Sequence, residues 1–214
     1  MYVLSVNVGQ EREIYNGKPS GKTGIYKIPT SDAVQIHALG LEGDVISDKK
    51  NHGGPDQAVY VYGRDDYAWW EAELGHELAP GTFGENLTIA GMESASFNIG
   101  DRLSMGDVVL EVTSPRIPCA TLAVRMDDPT FVKRFRFAKR YGVYCRVIVP
   151  GAVRAGDAVT VTPYDGETMS VLAMADLFYD RKAGPDMLRQ ALDVPLAERA
   201  RNDIEARLGA YMTD

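Results

Sequence analysis

The chain has two cysteines, and one of them, Cys119, lies where a thiol can be reactive. It follows a proline in the segment SPRIPCATLA, residues 114–123, where a strand pattern gives way to a short helical pattern. A helix that begins at Cys119 would stabilise a thiolate through its free N–H groups and its dipole, and Arg116 adds positive charge. Thiolates are soft ligands that suit molybdenum, copper(I), zinc and iron–sulfur centres. The residues alone leave three roles open, namely core packing, half of a disulfide, or a reactive ligand.

The second cysteine, Cys145, has a different setting. It alternates with Val143 and Val147 in the segment GVYCRVIV, which predicts a buried position in a strand. The sequence holds no CxxC pair, which disfavours structural zinc and iron–sulfur clusters because both need several ligands. A Cys119–Cys145 disulfide has no support in the sequence, and a reducing compartment is the simpler expectation.

A glycine-rich segment from Gly40 to Tyr62 brings polar residues together just before a predicted strand. Its candidate ligand-binding and proton-transfer residues are Lys50, His52, Gly53, Gly54, Asp56 and Gln57. A double glycine lets backbone N–H groups face a ligand and form a concave anion site. The alternative is a long loop whose glycines only satisfy turn geometry, and the segment by itself does not decide between the two.

A second glycine-rich segment, PGTFGENLTI at residues 80–89, carries Glu85 and Asn86 into a strand. The amide of Asn86 can read the edge of a heterocycle, or it can close an Asx turn. The sequence contains no G-x-S-x-G elbow, no Walker A loop, no HExxH helix and no G-x-G-x-x-G leading into a helix. Serine hydrolase, P-loop, zinc protease and Rossmann functions therefore have no motif support.

Two kinds of segment must position these residues. As far as about Pro163, short β-branched runs are cut by Gly-Asp, Pro and Asn-Gly signals, which predicts a mainly β fold, either a barrel or a sandwich. Strands are predicted near 3–9, 23–29, 33–39, 58–62, 86–90, 101–104, 107–114, 143–149 and 157–162. Helices are predicted over 64–78 and 127–140, and apolar stripes after residue 163 predict three further short helices.

The bulk properties exclude several classes of protein. A formal net charge of −7 disfavours non-specific binding to nucleic acid or to an anionic membrane, although local basic clusters leave room for an anionic ligand. No apolar run reaches the 18 to 20 residues or so that a membrane span requires. The N-terminal segment reads as a strand and not as a signal peptide, so a cytoplasmic protein is expected.

Taken together and in order, these segments resemble the MOSC domain, the family related to the C-terminal part of molybdenum cofactor sulfurases. The matching segments are GLEGD at 40–44, HGGPDQAVYVY at 52–62, GTFGENLTI at 81–89, IGDRLSMGDVVLEVTSPRIPC at 99–119 and GVYCRVIVPGAVRAGDAV at 142–159. The resemblance implies a MOSC-type β-barrel with peripheral short helices over residues 1–163. Residues 164–214 are similar to the small three-helix module of stand-alone, YiiM-like bacterial members.

The resemblance also implies a molybdenum cofactor, molybdopterin with its metal. Cys119 matches the cysteine of the family that binds the metal, and the cofactor-binding candidates are Arg116, Gly53, Gly54, Gln57, Asn86, Lys22 and Lys50. The catalytic candidates are Cys119 with His52 and Asp56, and Glu85 is a further candidate proton donor.

The activity implied by the resemblance is reduction of N-hydroxylated bases and related compounds, which detoxifies analogues of the 6-hydroxylaminopurine type. The resemblance also implies that electrons come from a separate flavin-containing reductase, and the lack of a flavin or nicotinamide motif in the sequence is compatible with this. One alternative is a carrier that hands over the cofactor or a sulfur atom without reducing a substrate. Another is a non-enzymatic interaction module, and the helical tail is compatible with a homodimer.

Overall fold

The computed structural model describes residues 1–15, 21–49 and 51–211, so the candidate ligand Lys50 lies outside the described residues. The β-strands are β1 (Tyr2–Gly9), β2 (Arg12–Ile14), β3 (Gly21–Thr23), β4 (Lys27–Thr30), β5 (Val34–His37), β6 (Gly40–Leu41), β7 (Val59–Gly63), β8 (Leu87–Ala90), β9 (Arg102–Met105), β10 (Val108–Pro115), β11 (Val143–Val149), β12 (Gly151–Val153) and β13 (Thr160–Thr162). The α-helices are α1 (Arg64–Leu74), α2 (Ala120–Arg125), α3 (Phe131–Ala138), α4 (Val171–Tyr179), α5 (Pro185–Leu192) and α6 (Glu198–Ala210).

Eight strands form one large sheet in the order β13-β9-β10-β11-β7-β8-β1-β4. Neighbouring strands are antiparallel except for β7 and β8, which are parallel. A parallel pair needs a crossover connection, and α1 supplies it between these two strands. Strands β12, β5 and β6 form a second, smaller sheet, and β2 pairs with β3.

The large, mainly antiparallel sheet was expected, but its closure into a barrel is not confirmed. Within the described residues the edge strands β4 and β13 are not paired with each other. The chain that leads into β13 instead approaches the start of β1. The N–H of Val3 donates to the carbonyl of Asp157 at 2.9 Å, and the N–H of Gly156 donates to the carbonyl of Val3 at 2.8 Å.

The first predicted helix is correct in position but ends earlier than residue 78. Helix α1 stops at Leu74 because Gly75 adopts φ of 77°, and its N–H bonds back to the carbonyl of Glu71. A glycine in this left-handed conformation is a common helix terminator. The short strand β12, which pairs with β5, was not predicted.

The interior consists of two apolar clusters. An aromatic cluster fills the space between the large sheet, α1 and α3, and its members include Tyr62, Trp70, Phe83, Phe131 and Phe135. The second, mainly aliphatic cluster continues from the strands into the C-terminal helices, where Met174, Leu177, Leu188 and Ile204 pack with strand residues such as Val112. Helix α4 packs against β10, and α5 and α6 pack against each other. The predicted division between residues 163 and 164 stays a prediction. None of the helices in the described ranges is both long enough and apolar enough to cross a bilayer.

Candidate functional site

Cys119 caps the start of α2 at the end of a short connection from β10. Its backbone is extended, and its carbonyl accepts a hydrogen bond from the N–H of Leu122 at 3.0 Å. This confirms the expectation that a helix begins at Cys119. The side chain is half-buried and is not in a disulfide, so the thiol is accessible from the adjoining space.

The surroundings of Cys119 favour its ionised form. Burial opposes ionisation, but a hydrogen bond with His52 and the positive charge of Arg116 outweigh it and lower the pKa of the thiol to about 6. Cys145 is fully buried, and burial raises the pKa of its thiol far above the ordinary value. The prediction that Cys145 is a core residue is confirmed. At neutral pH the thiolate form is therefore favoured at Cys119 and the neutral thiol at Cys145.

Arg116 is a buried cation beside this thiolate. Its guanidinium donates a hydrogen bond to the carbonyl of Phe83 and lies over the ring of Tyr60, with 5.1 Å from Cζ to the ring centroid. The Nε–H of Arg116 has no hydrogen-bond partner among the described residues. A buried donor without a partner costs free energy, and an anionic ligand would satisfy it.

A cleft opens from Cys119 along the ends of β4, β7 and β8. We call it the basic cleft, and it is lined by the cations Lys22, Lys27 and Arg116 together with Gly53, Gln57, Asn86, His52, Tyr144 and Cys119. At its base, the ammonium group of Lys27 makes a buried ion pair with Asp44. Burial lowers the pKa of Lys27, and the attraction of Asp44 opposes that shift. Asp44 also accepts hydrogen bonds from the N–H of Gly9 at 2.8 Å and from Asn86 Nδ2 at 2.8 Å.

Several predicted cofactor ligands line this cleft, but not all in the expected way. Gly53 lines it and has φ of 73°, whereas Gly54, with φ of 84°, is exposed and lies outside the lining. Lys22 lies at the rim, where its exposed ammonium group bonds Glu11 at 2.8 Å. Gln57 lines the cleft, and its buried Oε1 has no partner among the described residues.

The amide of Asn86 is committed to structure. Its Oδ1 accepts from the N–H of Tyr60 at 3.1 Å, and its Nδ2 donates to Asp44. The side chain therefore joins β7 to the Asp44 loop. These hydrogen bonds take the place of the expected Asx turn. Asn86 also lines the cleft, and its contact with the edge of a heterocycle stays a prediction.

The structure does not bring Asp56 to the cleft as a proton donor. One carboxylate oxygen accepts from the N–H of Glu198 at 2.7 Å, and the other lies 3.1 Å from Arg146 Nη2. Ala197, which precedes α6, has no side chain that can cap the helix, so Asp56 supplies the missing acceptor across 142 positions of the chain. These contacts give Asp56 a structural role, and its catalytic role stays a prediction.

Glu85 is likewise structural. It is fully buried, and its Oε1 accepts from Tyr67 Oη at 2.6 Å, from the N–H of Gly81 at 2.7 Å and from Thr88 Oγ1 at 2.8 Å. Burial raises the pKa of Glu85, and these hydrogen bonds oppose the shift. The side chain thereby holds the loop at residues 81–85, which positions the Phe83 carbonyl opposite Arg116.

A second cavity meets the basic cleft at Cys119. It lies between residues 114–121 and the helices α4 and α6, and we call it the helix-side cavity. Its volume is about 470 Å³. His52, Gln57, Tyr144 and Cys119 line both spaces. The thiol of Cys119 is thus shared by a basic compartment and a larger one.

Sequence reasoning missed Tyr144 and the pairing of Lys27 with Asp44. Tyr144 Oη lies 3.5 Å from His52 Nδ1. The alternation that buries Val143 and Cys145 places Tyr144 on the opposite face of β11, so the strand pattern contained a signal for it. No comparable signal linked Lys27 to Asp44.

A family model described as MOSC domain matches residues 48–160, more than half of the 214-residue chain. The chain belongs to the MOSC domain family. A second model, described as the YiiM-like, 3-alpha helix domain, matches residues 169–209 of this MOSC protein. Both resemblances indicated by the sequence motifs are therefore confirmed.

Curated relatives and a solved structure agree with this membership. The MOSC protein is 39% identical to YflK of Bacillus subtilis over 72% of its own chain and 70% of that protein. It is 34% identical to the protein YiiM of Escherichia coli, over 72% of its chain and 69% of that protein. A Gibberella moniliformis protein named Reductase is 32% identical over 92% of this chain, which corresponds to 35% of that protein. The crystal structure of YiiM from Geobacillus stearothermophilus shares the fold, with a TM-score of 0.80 and 24% identity over 97% of this chain and 98% of that one.

Proposed function

We propose that this MOSC protein is a molybdenum-cofactor-dependent oxidoreductase that reduces N-hydroxylated bases or related N-hydroxylated compounds. The observation that carries the proposal is the position of the Cys119 thiolate, where the basic cleft and the helix-side cavity meet. A metal ligand at this junction is accessible from both spaces. The relative named Reductase gives independent support for an oxidoreductase.

The residues of the basic cleft fit the chemistry of molybdopterin. Cys119 offers a thiolate ligand for the metal. Arg116 offers a buried cation with an unpartnered N–H for the phosphate, and Lys22 adds charge at the rim. Gly53 has a φ of 73°, which residues with a side chain rarely adopt, and an added Cβ would lie 3.1 Å from the side chain of Ile46.

Reduction of an N-hydroxylated compound consumes two electrons and two protons. The N–O bond breaks, the nitrogen gains a hydrogen, and the oxygen leaves as water. The bound cofactor would supply the electron pair. His52 is positioned to hold and deliver a proton, since it lies beside Cys119 and reaches Tyr144 Oη at 3.5 Å.

The partners of this reaction are part of the proposal. We propose that a separate flavin-containing reductase supplies the electrons and that 6-hydroxylaminopurine-type analogues are among the substrates. A homodimer and a cytoplasmic location also stay predictions. The carrier function is the alternative to be tested, because it would use the same thiolate without turnover.

The proposal is tested by measuring the molybdenum content of the protein and its turnover of substrate. Protein made in a host that synthesises the cofactor is expected to contain molybdenum, the Cys119→Ser variant to lack it, and Cys145→Ser to retain it as the matched control. With a chemical reductant, the loaded protein should convert 6-hydroxylaminopurine to adenine. Equal molybdenum content in Cys119→Ser and wild type would contradict the ligand role. A loaded protein that passes its cofactor to an apo-enzyme but reduces nothing would establish the carrier instead.

A further inference from the structure

The helix-side cavity has the size and the lining of a small-molecule site. Its walls are mainly apolar, formed by Pro115, Ile117, Pro118, Met174, Leu177, Phe178, Ala197, Ala200 and Ile204. Its volume of about 470 Å³ lies within the usual range for ligand pockets. Such a lining favours a flat, mainly apolar ring over a small hydrophilic molecule.

Two polar atoms in this lining are buried without partners. Ser114 is 7% exposed, and its Oγ has no hydrogen bond among the described residues. Gln57 Oε1 is also buried and has no hydrogen-bond partner among the described residues. Both residues line the helix-side cavity, and buried polar groups ordinarily find partners. A hydroxyl and an amide oxygen together suit a ligand edge that carries both donors and acceptors.

One face of α6 forms part of the wall of the helix-side cavity. The positions that line the cavity are Ala200, Asp203, Ile204 and Arg207, spaced as neighbours on one side of a helix. Asp203 lies 3.6 Å from Arg207 and 3.5 Å from Arg181, so its charge is compensated. Ala200 is the smallest residue of this face, and its small size helps keep the cavity open.

We infer that the heteroaromatic substrate of the proposed reaction binds in the helix-side cavity and not in the basic cleft. The ring lies against the apolar wall made by α4 and α6, and its polar edge bonds Ser114 and Gln57. The C-terminal helices thereby set the size of substrate that reaches Cys119. This inference rests on the proposed function, because it assigns the substrate to one of the two spaces that meet at the thiolate.

The first test fills the cavity from α6. Ala200→Phe is expected to raise the dissociation constant for 6-hydroxylaminopurine at least about tenfold, measured by calorimetry on the cofactor-free protein. In loaded protein, the ratio of kcat/KM for 6-hydroxylaminopurine to kcat/KM for hydroxylamine should fall by a similar factor. Ala206→Phe is the matched control, since Ala206 is exposed on the same helix and outside the cavity lining. It should keep wild-type values.

A second variant covers the case in which Ala200→Phe fails to fold. Ser114→Ala is expected to raise the same dissociation constant about three- to tenfold, the loss typical of one hydrogen bond. Equal dissociation constants in wild type, Ser114→Ala and Ala200→Phe would overturn the inference, as would absence of binding by the wild type. Failure of the proposed function shows differently, as absence of turnover in every loaded protein.

Discussion

Arg116 and Phe83 join the two segments between which the basic cleft forms, because the guanidinium of Arg116 donates to the carbonyl of Phe83. Phe83 belongs to the loop that Glu85 holds from within, and Arg116 lies three residues before Cys119. The Nε–H of the same guanidinium stays unpartnered among the described residues. The side chain of Arg116 thus holds the Phe83 loop next to the segment that carries Cys119. It also has an N–H group that a ligand in the cleft could accept from.

Removal of Arg116 should therefore affect both stability and cofactor retention. Arg116→Ala leaves the buried Phe83 carbonyl without its donor, which costs about 1–3 kcal/mol of unfolding free energy. Arg116→Lys keeps the charge but loses the planar fork, so it should retain more molybdenum than the alanine variant. Urea unfolding and metal analysis measure the two effects. Arg154→Ala, at an exposed arginine, is the control, and equal loss in that variant would contradict the assignment.

The thiol of Cys119 should react at unusually low pH. Because its pKa is lowered from 9.0 to about 6, the thiolate fraction rises between about pH 5 and pH 7. Alkylation of cofactor-free protein by iodoacetamide, followed by mass spectrometry, should show a rate that is half-maximal near pH 6. His52→Ala should move this midpoint upward, since it removes the hydrogen bond that favours the thiolate. Modification of the buried Cys145 in the folded protein would contradict the structure.

The ion pair between Lys27 and Asp44 should matter most when it is broken on one side. Asp44→Ala leaves a buried ammonium group without its counter-charge and is expected to destabilise the protein by about 3–5 kcal/mol. The double change Lys27→Met with Asp44→Leu removes both charges and should cost less. A thermodynamic cycle of urea unfolding on wild type, Lys27→Met, Asp44→Leu and the double variant measures the coupling. A double variant as unstable as the sum of the single ones would show that the pair is not coupled.

Asp56 should contribute to stability and not to proton transfer. Asp56→Ala removes the acceptor for the N–H of Glu198 and is expected to cost about 1 kcal/mol, as loss of a helix cap does. Asp56→Asn keeps an acceptor and should recover much of that loss. The pH profile of kcat/KM should keep its shape in Asp56→Ala and change in His52→Gln. An unchanged profile in His52→Gln would exclude His52 as the proton donor.

The sequence predicts the local features of this site well. The helix start at Cys119 and the buried place of Cys145 follow from neighbours within a few positions. The roles of Asp56 and Asn86 could not be predicted, because each is decided by a partner far along the chain, Glu198 for one and Tyr60 for the other. The helix-side cavity was missed for the same reason, since it lies between residues 114–121 and the helices α4 and α6. Sequence motifs predict that polar residues in a glycine-rich segment take part in chemistry. In this structure some of these residues make hydrogen bonds that hold the fold together instead.

The bond between Asp56 and the start of α6 connects the loop that carries His52 and Gln57 to a helix that walls the helix-side cavity. A ligand bound between this loop and α6 would contact both. Its binding should therefore slow the local unfolding of α6. Amide hydrogen exchange in the first turn of α6 is then a reporter of occupancy at a position remote in sequence. In Asp56→Ala, which removes the acceptor for the N–H of Glu198, exchange in this turn should be faster both with and without the ligand.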